Sequence, residues 1–137
     1  MRSVVADANV FVSFFVERNK AQQDAAQALL AAAEEGEIAG VIPQSVIFEI
    51  VYVLQSQYGL TSRQAATAIA AVTRFPGMQI VDECPWKRVL ELWPDPLSGL
   101  TDAAIVALAT TNRYDAVATF DRKLANKLPA FGLDAYF

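Results

Sequence analysis

The chain contains no histidine and a single cysteine, Cys84, among its 137 residues. The first absence removes Ser–His and Cys–His nucleophile pairs from consideration. The second removes any internal disulfide and makes a cytoplasmic protein the default expectation. Together they leave little with which to build a zinc or copper site, since those ions recruit His and Cys. No glycine-rich phosphate loop follows a strand-like run. Acids or bases break every apolar stretch well short of the ~20 residues that span a bilayer, so no membrane segment is expected. Arg2 followed by an apolar run superficially resembles a secretory leader, but Asp7 falls inside it and no small-residue cleavage site follows.

Positive charge is also scarce. Eleven Lys and Arg stand against 15 Asp and Glu, a formal net charge of −4. Broad, sequence-blind nucleic-acid binding needs many cationic phosphate contacts and is disfavoured. Two local basic rims are present: Arg122, Lys123 and Lys127 after Asp121, and Arg18 and Lys20 after the first apolar segment. A solvated helix face has the same appearance.

Apolar residues, by contrast, make up 54% of the chain, and mean hydropathy is +0.27. The length suits one domain, residues 1–137, with a substantial core. The surplus implies apolar surface left for a second copy or a bound peptide. No repeat, low-complexity tract or long linker divides the chain. β-rich runs near 3–6, 38–42, 79–82, 115–119 and 133–136 alternate with helical periods near 9–16, 20–35, 45–58, 62–74, 86–93, 102–112 and 122–127. That alternation predicts an α/β fold with a parallel sheet covered on both faces. Thr61 with Gln64 forms a capping box, and Gly36 and Gly59 end helices. Pro85 is expected in a first helical turn, with Ser13, Ser45 and Ser98 in turns or caps.

Four acids sit where apolar elements should exclude them. Asp7 closes Ser3-Val4-Val5-Ala6, Glu49 interrupts Val46-Ile47-Phe48-Glu49-Ile50-Val51, Asp102 opens an apolar helix, and Asp121 follows Ala116-Val117-Ala118-Thr119-Phe120. Burying a bare carboxylate costs several kcal/mol or more, so each needs a hydrogen bond, a counter-charge or a metal. Local explanations exist: Asp7 and Asp121 can cap the helices that follow, and Asp102 can occupy a first turn beside an N-capping Thr101. Glu49 fits such an explanation less well, because Val46 and Val53, at i−3 and i+4, are both apolar.

Ligands in parallel α/β folds collect outside the carboxyl ends of the strands, where Asp7 and Asp121 fall and where helix starts also face. Two carboxylates at about 4 Å repel by roughly 4 kcal/mol at an effective dielectric of 20. Four in one pocket call for a counterion or raised pKa values; a divalent cation resolves the repulsion, and an all-oxygen donor set suits Mg²⁺ or Mn²⁺.

The segments Val5-Ala6-Asp7-Ala8-Asn9, Glu49 within a helix, Leu100-Thr101-Asp102-Ala103-Ala104-Ile105, and Thr119-Phe120-Asp121 together resemble the ordered motifs of PIN-domain ribonucleases. The compact length is similar to that of the toxin half of VapBC-type toxin–antitoxin pairs. The resemblance runs essentially end to end. It implies a three-layer α/β/α PIN fold and a Mg²⁺- or Mn²⁺-dependent endoribonuclease leaving 5′-phosphate and 3′-hydroxyl ends. It further implies Asp7 and Asp102 as leading metal ligands, Glu49 as a direct or water-mediated ligand, and Asp121 completing the site or holding a second ion. Asn9 and Thr119 match polar motif positions expected to hydrogen-bond ligand, water or phosphate, and Arg122 and Lys123 are candidates for RNA contact.

Two other functions compete with this one. An aspartyl-phosphate phosphatase would use Asp7 as nucleophile, but the acid/base position two residues on is Asn9, which cannot shuttle a proton. A noncatalytic RNA- or protein-binding module on the same fold would suit the acidic net charge. For partners, helices 45–58 and 62–74 offer Ile47, Ile50, Val51, Leu54, Ile69 and Val72. Core packing takes most of these, and the remainder is expected to supply a homodimer or higher-oligomer face and a groove for a cognate antitoxin peptide. A basic antitoxin side chain placed among the four acids would displace metal.

Overall fold

A computed structural model describes residues 1–137. The chain runs β1 (Arg2–Ala6), α1 (Ala8–Phe15), α2 (Lys20–Glu34), β2 (Ile38–Pro43), α3 (Gln44–Ser56), α4 (Ser62–Val72), β3 (Met78–Val81), α5 (Trp86–Leu92), α6 (Leu100–Thr111), β4 (Ala116–Ala118), α7 (Arg122–Lys127) and β5 (Asp134–Ala135), with a 3₁₀ turn at Leu128–Phe131. The five strands form one sheet in the order β3-β2-β1-β4-β5, and every pairing is parallel. Parallel neighbours need crossover helices, so both faces of the sheet are covered. This is the three-layer α/β/α arrangement that the alternating pattern predicts.

Burial explains the strand sequences. Val4, Val5 and Ala6 of β1 and all of β4 are buried, because both faces pack against helices and neither needs polar alternation. The edge strands β3 and β5 are short and largely exposed, which limits edge-to-edge pairing. Helix α6 buries every residue from Ala103 to Ala109, as a helix that is apolar all round must. An aromatic cluster seals the outer end of α1, where Phe14 meets Phe75 edge-on and Phe11 stacks on Phe75. Gly77 closes the turn into β3 with φ +77, and a Cβ there would meet the Ala33 backbone. No helix is long and apolar enough to cross a membrane.

The Thr61–Gln64 capping box forms with both hydrogen bonds, and Gly36 and Gly59 adopt positive φ after their helices. Three local expectations are corrected. Helix α6 starts at Leu100 with Gly99 as N-cap, so Thr101 lies inside the first turn and caps nothing. Pro85 is the residue before α5, not a member of its first turn. Ser13 is fully buried in α1, where it belongs to no turn or cap.

The partner-face expectation also changes. Ile50, Leu54 and Val72 are fully enclosed by the core, and Ile47 and Ile69 pack against it. Val51 is half-buried, and the large apolar side chains left in solvent include Phe48 and Tyr52 on α3 and Trp86 and Leu90 on α5, beside Met1, Ile80, Leu100 and Phe137. The periodicity that picks out an apolar helix face picks out the buried one.

Sheet order places the site. The chain leaves β1 toward β2 and β3 on one side, then returns to β4 and β5 on the other. The crevice between β1 and β4 is therefore the topological switch point, where α/β folds bind ligands. Ala6 pairs with Ala118, so the next residues, Asp7 and Thr119, emerge side by side at the carboxyl edge.

Candidate active site

Asp7, Glu49, Asp102 and Asp121 all line one cleft of ≈ 190 Å³ at that edge. Four places in the fold deliver them: the residue after β1, the second turn of α3, the first turn of α6, and the N-cap of α7. Asn9 and Arg18 line the same cleft.

Asp7 is buried at 5% exposure and wired into its surroundings. Its Oδ1 accepts from the Ala8 backbone N–H at 2.7 Å, which caps α1. Its Oδ2 accepts from Thr119 Oγ1 at 2.8 Å and from Asn9 Nδ2 at 3.3 Å. A carboxylate offers about four acceptor sites, so roughly one remains for a ligand. The capping explanation therefore holds for this residue and still leaves an acceptor position over. Burial pushes the Asp7 carboxyl up, opposed by the Thr119 and Ala8 hydrogen bonds and reinforced by Asp121.

Thr119 is the hub of this wiring. Its hydroxyl donates to Asp7 and accepts from Asn9 Nδ2 at 3.1 Å and from the Asp121 backbone N–H at 3.0 Å. The Asn9 side-chain oxygen Oδ1 accepts from the Phe120 N–H at 3.1 Å. Both polar motif residues thus bond to the protein, tying β1 to the β4–α7 loop. Asp121 caps α7 through Oδ1, which accepts from the Lys123 and Leu124 N–H groups, leaving Oδ2 without a protein donor.

Glu49 and Asp102 are half-buried, and neither carboxylate takes part in a hydrogen bond or an ion pair. The chain's three ion pairs, Arg2–Asp134, Lys20–Asp24 and Arg88–Glu91, lie elsewhere. Desolvation, then Asp7 and Asp102, raise Glu49 from 4.5 to about 7. Asp102 rises from 3.8 to about 6 through desolvation, then Asp7 and Asp121, with Lys127 opposing.

The basic candidates divide differently from the sequence expectation. Arg122 and Lys123 are exposed in the first turn of α7 and line neither the acidic cleft nor the one beside it. Arg18 borders both clefts, and Lys127 is the cation that acts on Asp102. Cys84 lies in a separate groove with Phe48 and Trp86, its thiol pushed up by burial.

Every side-chain donor in the cleft that can ligate a cation is an oxygen, which fits a hard divalent ion. No three Asp, Glu or Cys side chains form a ready-made cage. An open set of carboxylates around a cleft suits Mg²⁺, which keeps several waters and takes one or two carboxylates directly.

A doubly covered parallel sheet with acids gathered at its switch point defines the class. The PIN-domain family model matches residues 4–127, and the chain belongs to that family. Among solved structures it is similar to VapC20 of Mycobacterium tuberculosis, a Sarcin-Ricin loop cleaving toxin, with a TM-score of 0.69 and 15% identity over 90% of this chain and 93% of that one. It is also similar to PAE2754 of Pyrobaculum aerophilum, with a TM-score of 0.63 and 17% identity over 98% of this chain and 90% of that one. At these identities the likeness is one of fold. No curated protein sequence matches significantly.

Proposed function

We propose that the chain is a divalent-cation-dependent endoribonuclease, the toxin component of a toxin–antitoxin pair acting in the cytoplasm. The observation that carries this reading is the pair of half-buried carboxylates, Glu49 and Asp102, left without a hydrogen-bond donor or ion-pair partner beside Asp7. Membership of the PIN-domain family and the fold shared with an RNA-cleaving toxin support it.

Asp7 and Asp102 are the direct ligands of Mg²⁺ or Mn²⁺ in this reading, Glu49 a direct or water-mediated one, and Asp121 completes the set. Held by these residues, such an ion would supply Lewis-acid chemistry: activation of a water and neutralisation of charge developing on the phosphate. The remaining work belongs to the protein. Thr119 and Asn9 hold the Asp7 carboxylate in one orientation, as outer-shell partners do. The Glu49 carboxylate has free lone pairs with which to accept a hydrogen bond from the attacking water and aim it. Asn9 spends its amide on Asp7, Thr119 and Phe120 and has no proton to transfer, so nothing in the cleft favours phosphatase chemistry.

As a toxin the chain would pair with itself and with an antitoxin. The exposed Phe48, Tyr52, Trp86 and Leu90 are the apolar surface for those contacts. A basic antitoxin side chain among the acids would stand in for the cation, and changing the acids to amides should then weaken antitoxin binding.

The deciding experiment is cleavage of single-stranded RNA by purified protein with Mg²⁺ or Mn²⁺. Activity should vanish with chelator and in Asp7→Asn. Undiminished cleavage by Asp7→Asn would sink the metal-site reading, and RNA binding without cleavage would leave a noncatalytic module in its place.

A further inference from the structure

A second cleft, of ≈ 430 Å³, opens beside the acidic one and shares Asn9, Arg18 and Asp121 with it. Its own walls add Asn19, Gln22 and Phe120. The two are one continuous groove, and Arg18 is the single cation lining either part.

Arg18 borders four carboxylates yet forms no ion pair with any of them, since the chain's ion pairs lie elsewhere. Neutral acceptors hold it instead. Its Nε donates to Ser13 Oγ at 3.1 Å, with longer contacts from Nη2 to the Asn9 carbonyl at 3.3 Å and from Nη1 to Tyr58 Oη at 3.4 Å. This tether accounts for Ser13, a fully buried hydroxyl in an otherwise apolar stretch of α1. A guanidinium has five N–H donors, so about two remain, one on each terminal nitrogen. That pair suits bidentate contact with a phosphate.

Electrostatics requires such a group. A polyanionic strand must approach a chain of net charge −4 at its most acidic point, and one divalent ion offsets only part of four carboxylates. A cation held clear of those carboxylates keeps its charge for the incoming phosphate. Beyond it, Phe120 stacks on Phe137 with ring centroids 4.5 Å apart and lines the same cleft. A partly exposed ring braced in this way is a platform for an unstacked base.

We propose that Arg18 and Phe120 form a nucleotide subsite continuous with the acidic cleft, Arg18 binding the RNA phosphate next to the scissile one and Phe120 receiving the adjoining base. The subsite rests on the nuclease reading above and names how its single-stranded RNA substrate is held.

The test uses the full chain and a fluorescein-labelled single-stranded RNA in Mg²⁺. Anisotropy is measured on the Asp7→Asn protein with and without Arg18→Gln, Arg18→Lys or Phe120→Leu. KM and kcat are measured for the same three changes in the otherwise wild-type protein. Melting temperatures confirm that each variant folds. Arg18→Gln should raise Kd and KM roughly 10-fold or more, the scale of a lost charge-assisted hydrogen bond, with kcat little changed. It should also flatten the dependence of log K on log salt by about 0.7, one single-stranded phosphate contact. Arg18→Lys should recover part of the loss, and Phe120→Leu should weaken binding with no change in salt slope.

Wild-type Kd and salt slope in Arg18→Gln would overturn the subsite, as would a fall in kcat alone, which would make Arg18 an internal counter-charge to the acids. Failure of the nuclease reading is separable: the wild-type protein would then bind RNA without cutting it, while the Arg18 dependence of binding persisted. Absence of RNA binding would overturn both.

Discussion

The two sides of the cleft are built on opposite plans. On the sheet side, Asp7 directly follows β1 and Asp121 caps α7 three residues past β4, and Thr119, Asn9 and the N–H groups of α1 and α7 hold their carboxylates. On the helix side, Glu49 and Asp102 accept nothing from the protein and carry the raised values of about 7 and about 6. The wired acids serve the fold as well as the site, while the bare ones bring only electrostatic cost to the fold alone. On the proposed reading a bound cation would remove that cost. Losing a sheet-side group should therefore lower stability, and neutralising a helix-side group should raise it.

The largest effect is expected at Asp7. Asp7→Ala removes an N-cap and strands the donors of Ala8, Asn9 and Thr119, costing about 2–4 kcal/mol in denaturant unfolding. The isosteric Asp7→Asn should reduce cleavage more than about 100-fold, beyond the 10–100-fold typical of losing an outer-shell partner. Thr119→Val comes next. It keeps the shape and deletes the hub hydroxyl, so it should cost about 1–2 kcal/mol and roughly 10–100-fold in activity.

The helix side predicts the opposite sign. Folding raises Glu49 from 4.5 to about 7 and Asp102 from 3.8 to about 6. The folded state thus holds more protons than the unfolded one across that window, and metal-free stability falls as pH rises through it. Asp7, Asp121, Lys127 and Arg18 share the site's field, so the informative quantity is the difference from the double variant Glu49→Gln/Asp102→Asn. That variant should melt a few degrees above wild type at pH 7.5 without metal, and the gap should close near pH 4. The smallest effect belongs to Arg122→Ala and Lys123→Ala. Neither side chain lines the groove, so KM should move less than about threefold, against roughly 10-fold for Arg18.

This contrast also explains what could be read in advance. Asp7 and Asp121 announce themselves, because each follows an apolar run that has no other use for charge. Glu49 was legible from apolar neighbours one turn away on either side. The start of α6 was not, since Gly99 supplies the cap through its backbone and leaves no side-chain signal. The role of Arg18 was hidden because one of its holders, Tyr58, stands 40 residues away in sequence. Arg122 and Lys123 show the converse: adjacency to Asp121 along the chain does not place a first-turn side chain in the cleft. Phe48 and Tyr52, one turn apart on the outer side of α3, share no pattern with the apolar residues that fill the core.

The central claim is that these carboxylates converge because a divalent ion makes their proximity tolerable. The most direct measurement is the rise in melting temperature on adding Mg²⁺ or Mn²⁺ to metal-free protein, at pH 7.5 and pH 5, for wild type and Glu49→Gln/Asp102→Asn. Saturation at about 100 times Kd would add about 2.7 kcal/mol of stability. The account predicts a shift of several degrees for wild type at pH 7.5, a smaller one at pH 5, and almost none for the double variant. Equal shifts in wild type and double variant, or no shift in either, would contradict it.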